Sequence, residues 1–184
     1  PSVRLWVRSS RTCWTAPRAS SSTEDPEPET LRAMNRLAML TDGLARERVF
    51  DELCKFLPVA TAEDLLAYQT VLVRVIPELG ACVNFAQYSP HHSYDVYTHT
   101  AHVVELVPQD LTMRWAALLH DVGKVPTFTQ DETGRGPFYA HAQEGAVLTE
   151  NALRRLKAPT ALREQVVLLI EQHMTRLEPD KKLL

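Results

Sequence analysis

Apolar residues recur three and four positions apart along most of this chain, and no convincing alternating run appears anywhere in it. Side chains three and four apart share one helix face, whereas a half-buried strand needs a period of two, so the pattern commits the chain to an all-α fold. Leu31, Met34, Leu37 and Ala38 form a first stripe, closed by a turn at Asp42-Gly43. A second stripe over about 44–57 carries Val49, Leu53 and Phe56, and Pro58 stops it. Thr61 with Asp64 offers an N-cap for a third helix, which carries Leu65, Leu66, Tyr68 and Leu72 and ends near Pro77.

The second half repeats the pattern. Val96, His99, Val103 and Leu106 line one face of a helix over 95–107, and 111–121 is strongly apolar around Trp115, Leu118 and Leu119, with Gly123 ending it. Pro126, Gly134, Gly136 and Pro137 make 124–138 a loop, and two last helices are expected over 140–157 and 160–175.

The chain has 184 residues, 45% of them hydrophobic, enough for one ordinary domain or a small one with an appended helical subdomain. With 20 Lys plus Arg against 23 Asp plus Glu, the formal charge of -3 lacks the basic excess of a non-specific nucleic-acid binder. Cys13, Cys54 and Cys82 form neither a disulfide framework nor a Cys-x-x-Cys pair, which fits a reducing compartment. No apolar run reaches the roughly 20 residues that span a bilayer. The expectation is a soluble, cytoplasmic protein with no membrane partner. Residues 1–25 are Arg- and Ser-rich and acid-poor until Glu24, as organelle transit peptides are. Because the chain starts at Pro1 rather than Met, they are read instead as a disordered or non-native tail. A linker around Pro26 and Pro28 then leads into the first stripe.

Chemistry concentrates in Trp115-Ala-Ala-Leu-Leu-His120-Asp121-Val-Gly123-Lys124. An ionisable pair here closes an apolar helix, and burying a carboxylate without a partner costs several kcal/mol, so a bound cation is a natural partner. His99, on the inward stripe of the preceding helix, supplies a further donor. His141, opening the helix after the Gly-rich loop, and His173, late in the last helix, can reach a second ion. Imidazole and carboxylate together suit zinc, iron, manganese or nickel. Two ions roughly 3.5–4 Å apart would clamp a phosphoryl oxygen and lower the pKa of bound water. Lys124, just past the helix end, is placed to meet a phosphate. His102 reads as an ordinary core or surface histidine. His91 and His92 divide between a surface loop and a supporting role beside the site, and Arg154, Arg155 and Lys157 read as a solvated helix face.

These residues resemble a known family. Tyr94-Asp-Val-Tyr-Thr-His99-Thr and Ala117-Leu-Leu-His120-Asp121-Val-Gly-Lys124 are similar to the first two parts of the His-Asp (HD) superfamily signature. Thr127-Phe-Thr-Gln-Asp131, Gly134-Arg-Gly136-Pro-Phe-Tyr-Ala-His141 and Gly145-Ala look like the HD region attached to bacterial CCA-adding tRNA nucleotidyltransferases and poly(A) polymerase relatives. Pro28-Glu-Thr-Leu-Arg-Ala-Met34 and Arg46-Glu-Arg-Val-Phe-Asp-Glu-Leu-Cys-Lys55 resemble their helical neck. The resemblance implies an RNA-binding-like neck over 26–80 and an HD helical bundle over 85–184. Two features depart from it. The acid-x-acid candidate for a nucleotidyltransferase head, Glu27-Pro28-Glu29, is set among prolines in a linker, so the chain alone is not expected to add nucleotides. No closing HD aspartate is evident, with Asp180 lying in a polar tail, so the domain reads as C-terminally truncated.

The implied function is a metal-dependent phosphohydrolase or phosphodiesterase tied to tRNA 3′-end processing. It would use a divalent ion (Mn, Fe, Ni, Zn or Mg) held by His99, His120, Asp121, His141 and His173. Asp121 and Lys124 are the expected catalytic residues, with Lys124 also on the substrate, and the expected partners are tRNA or another RNA and a phosphorylated nucleotide. An inactive RNA-binding module and a stand-alone HD phosphohydrolase acting on nucleotides are the rivals.

Overall fold

A computed structural model describes residues 44–86, 94–129 and 138–175. The stripe at Leu31–Ala38, His91 and His92, Asp180 and the Glu27–Glu29 pair lie outside the described residues, as do Cys13 and the tail. Within them the chain is helical, with no strand and one isolated antiparallel bridge joining Ala86 to Asp95. The described helices are α1 (Arg46–Phe56), α2 (Ala62–Ala67), α3 (Gln69–Val75), α4 (Val96–Leu106), α5 (Leu111–Leu119), α6 (His141–Arg155) and α7 (Thr160–Gln172). A 3-10 turn, Pro77–Cys82, follows α3.

Short polar side chains start several of these helices. Thr61 and Asp64 form a reciprocal capping box at α2: the Asp64 N–H donates to Thr61 Oγ1 at 3.1 Å, and the Thr61 N–H donates to Asp64 Oδ2 at 2.9 Å. Asp95 caps α4 by accepting from the Thr98 N–H at 2.7 Å, and its other oxygen accepts from the Asn84 N–H at 2.6 Å. One carboxylate thus fixes the start of the His99 helix and ties it to the preceding segment. Asp110 caps α5 through the Met113 N–H at 2.9 Å.

The single helix expected between Thr61 and Pro77 is two. The break falls at Tyr68, whose ψ of 11° leaves the helical range where its ring meets Phe56 edge-on at 5.7 Å. Elsewhere helix ends fall within about three residues of their expected places, an ordinary discrepancy for boundaries.

One continuous apolar core runs from Val49 to Ile170 and joins α1–α3 to α4–α7. Trp115, fully buried on α5, stacks on Phe50 of α1 with centroids 5.7 Å apart. The Tyr97 hydroxyl of α4 donates to the Leu65 carbonyl at 2.8 Å. Arg114, only 4% exposed, donates to the carbonyls of Ala60 at 2.8 Å and Pro108 at 3.3 Å. These carbonyls compensate a cation inside an apolar helix face, where it would otherwise be costly. Helix α7 packs against both α5 and α6, so the ends of α5, α6 and α7 meet on one side of the core. Cys54 and Cys82 are free thiols. No helix among the described residues is long and apolar enough to cross a membrane.

Candidate metal centre

Four helices deliver histidines to one buried point. His99 comes from the first turn of α4, His120 and Asp121 from the turn that ends α5, His141 from the first position of α6, and His173 from the C-terminal end of α7. His120, Asp121 and His173 are 1%, 2% and 1% exposed, too buried for the cluster to be a chance meeting of surface groups. The donor atoms of His99, His120 and Asp121 lie within 4.8 Å of one another, as do those of Asp121, His141 and His173.

Asp121 belongs to both groups and divides them by oxygen atom. Its Oδ2 is 3.7 Å from His99 Nε2, 3.0 Å from His120 Nε2 and 2.8 Å from Lys124 Nζ. Its Oδ1 is 3.7 Å from His141 Nε2 and 3.9 Å from His173 Nε2. A carboxylate placed this way can bridge two cations.

The backbone sets the tautomers. His120 Nδ1 lies 2.8 Å from the Ala117 carbonyl, His141 Nδ1 2.8 Å from the Phe138 carbonyl, and His173 Nδ1 2.6 Å from the Ile170 carbonyl. A carbonyl oxygen only accepts, so in each ring Nδ1 carries the proton and the neutral form turns its Nε2 lone pair inward. This is the arrangement by which metal-ligating histidines are oriented. His141 and His173 then face each other with Nε2 atoms 3.0 Å apart. Two lone pairs at that distance repel unless a positive charge lies between them. Nitrogens about 2.1 Å from a common cation stand about 3.0–3.4 Å apart at angles of 90–109°. The donor set therefore fits a metal ion.

The electrostatics agree. Burial lowers the pKa of His141, and it pushes His173 down to about 4, with His120 next in weight. Both rings are thus neutral at pH 7, as ligands must be. Burial alone would raise Asp121, but attraction to His120 and Lys124, with His99 adding to it, holds its carboxyl well below the usual range. Asp121 is therefore a carboxylate at pH 7, paired with Lys124.

Features of the backbone also shape the centre. The sequence position of Gly123 suggests a helix stop, but α5 already ends at Leu119 and Gly123 is not in the left-handed region. Its reason is space: a Cβ there would lie 2.1 Å from the His141 carbonyl oxygen and 2.5 Å from the Gly145 nitrogen. At Gly145, on the facing turn of α6, a Cβ would make only ordinary contacts of 3.4 Å with the Gly123 nitrogen and 3.5 Å with the His120 carbonyl oxygen. Ala140 has φ 61°, an uncommon left-handed value for a residue with a Cβ, and it turns the chain directly into His141. The carbonyls of Ala117, Phe138 and Ile170 each lie three residues before the histidine they orient.

Other candidates fall elsewhere. His102 lies tilted against Tyr94, centroids 4.9 Å apart, and belongs to neither donor group. Arg154 pairs with Glu150 at 2.7 Å, Arg155 pairs with Glu78 at 2.7 Å, and Lys157 is exposed.

The family described as HD domain matches residues 91–183, and the family described as probable RNA and SrmB-binding site of polymerase A matches residues 25–82. An A-adding tRNA nucleotidyltransferase of Deinococcus radiodurans is 38% identical over 169 residues, covering 84% of this chain and 38% of that protein. A CC-adding tRNA nucleotidyltransferase of Thermus thermophilus is 38% identical over 149 residues, covering 76% of this chain and 34% of its own length. A multifunctional CCA protein of Ralstonia nicotianae is 34% identical over 155 residues, covering 79% of this chain and 35% of its own. The chain therefore spans a little over a third of these relatives. No solved structure gave a significant match.

Proposed function

The chain belongs to the HD-domain family, and we propose that its histidine–aspartate centre is a metal-dependent phosphoester hydrolase working on an RNA end or a nucleotide. The observation that carries this reading is the set of carbonyl-locked imidazoles turned toward the two oxygens of Asp121. A purely structural cluster has no need to aim buried lone pairs at a carboxylate.

His99 and His120 with Asp121 Oδ2 would hold one cation, and His141 and His173 with Asp121 Oδ1 a second. Four imidazoles to one carboxylate favour zinc, iron, nickel or manganese over magnesium. Such ions supply Lewis-acid polarisation of a phosphoryl oxygen and a lower pKa for coordinated water. The chain's own residues do the rest. The three Nδ1–H bonds keep the rings from rotating, the packed ends of α5, α6 and α7 exclude bulk water, and Asp121 stays ionised between the two groups. Lys124 is 9% exposed, and its ammonium next to Asp121 adds positive charge where a phosphate would enter.

RNA is the proposed partner because residues 25–82 match an RNA-binding family and the relatives act on tRNA. With a net charge of -3, such contacts must come from a local patch rather than the whole surface. The test is phosphoester hydrolysis by the purified chain with added divalent ions, against a chelated sample and His120→Ala. Turnover that depends on metal and on His120 supports the reading. Salt-sensitive tRNA binding with no turnover in any metal would favour a binding module instead.

A further inference from the structure

The two halves of the histidine–aspartate centre are not equivalent, because the chain sets a cation of its own against one of them. Lys124 Nζ lies 2.8 Å from Asp121 Oδ2, the oxygen that faces His99 and His120. Oδ1 faces His141 and His173 instead, whose Nε2 atoms stand 3.0 Å apart. An ammonium has three donors and no lone pair, so it neutralises a carboxylate oxygen while offering nothing to a metal.

The lysine is held in this place by its surroundings. A tight turn returns it toward Asp121: the Lys124 N–H donates to the Asp121 carbonyl at 3.0 Å, and the Thr127 hydroxyl donates to the Gly123 carbonyl at 2.7 Å. The centroid of the Phe138 ring is 5.5 Å from the ammonium, within the range of a cation–π contact. Lys124 and Asp121 are both buried, so salt and water screen their pairing little. A divalent ion using Oδ2 with His99 and His120 must share that oxygen with the ammonium or displace it, and two positive charges so close repel strongly. The other half is prepared for an ion. Carbonyls orient both of its imidazoles, and its two Nε2 atoms already have the separation of nitrogens on a common cation.

We propose that the two cation sites fill in order: the His141–His173 site binds first and more tightly, and Lys124 weakens the His99–His120 site by competing for Asp121 Oδ2. The centre then passes from one ion to two as free metal rises. This rests on the two-cation reading of the centre and takes nothing from the identity of the substrate.

The test is equilibrium dialysis of the full chain against a manganese series, with circular-dichroism melts as the check on folding. The wild type should show two classes of site whose dissociation constants differ by about tenfold or more. His173→Ala should lose the tighter class and His99→Ala the weaker. Lys124→Gln should tighten the weaker class by about tenfold or more and leave the tighter one unchanged. Lys124→Met, which fills similar space without charge, should do the same if glutamine disturbs the fold, whereas Lys124→Arg should keep the wild-type gap. Two equal sites in the wild type would overturn the proposal and leave the two-cation reading standing. So would a weaker class that neither neutral variant tightens, or a tighter class that disappears with His99. Fewer than two ions at saturating manganese would instead defeat the two-cation reading itself, and the proposal with it.

Discussion

Replacing Gly123 with alanine should damage the metal centre without touching a ligand. The new Cβ would lie 2.1 Å from the His141 carbonyl oxygen, 2.5 Å from the Gly145 nitrogen and 2.9 Å from the Gly145 Cα. Carbon and oxygen sit about 3.3 Å apart at their closest comfortable approach, so α6 must retreat by about 1 Å. The obstruction is backbone on both counts, and no side-chain rotation relieves it. Overpacking of this kind costs about 1–3 kcal/mol or more, which in a chain of this length lowers Tm by roughly 2–4 °C per kcal/mol. The same retreat carries His141 away from Asp121 and His173, and disturbances of ligand support weaken metal binding about 10–100-fold. Circular-dichroism melts and a chelator-competition titration read the two effects. Gly80→Ala is the comparison, because its Cβ would meet a side-chain methyl of Val73 at 2.9 Å rather than backbone. A Gly123→Ala chain with wild-type Tm and wild-type metal affinity would refute the close-approach reasoning.

Two further outcomes follow from the same packing. Trp115→Ala removes the ring that stacks on Phe50 in the shared core, and urea titration should show a loss of about 3–5 kcal/mol; a loss below 1 kcal/mol would mean that α1 does not depend on α5. His173 titrates near 4 when folded against an ordinary 6.5, so between those values the unfolded chain binds more protons. Stability of the metal-free protein should therefore be complete above about pH 6.5, fall as pH drops, and have lost about 3 kcal/mol from this residue near pH 4. Urea midpoints that stay flat from pH 7 to 5 would contradict it.

The helices were legible because periodicity is local: a stripe such as Val49, Leu53 and Phe56 needs no knowledge of its partner. The break at Tyr68 was not legible, since it arises where the ring meets Phe56 from another helix. At the site, an ionisable pair ending an apolar helix drew attention to His120 and Asp121, and an inward stripe drew it to His99. The division of labour between the two oxygens of Asp121 depends on where α6 and α7 return, contacts 20 and 52 residues distant in sequence. The role of Gly123 is hidden in the sequence, because a glycine that ends a helix and one that admits a neighbouring backbone look alike there. The orienting carbonyls were invisible too, since every residue has one and only geometry selects Ala117, Phe138 and Ile170.

The central claim is that one carboxylate serves two cation sites. Equilibrium dialysis against manganese or zinc, followed by elemental analysis of the wild type, His141→Ala and Asp121→Asn, tests it most directly. The expected contents are two ions per chain in the wild type, one in His141→Ala and none in Asp121→Asn. An Asp121→Asn protein that folds and keeps the wild-type metal content would contradict it.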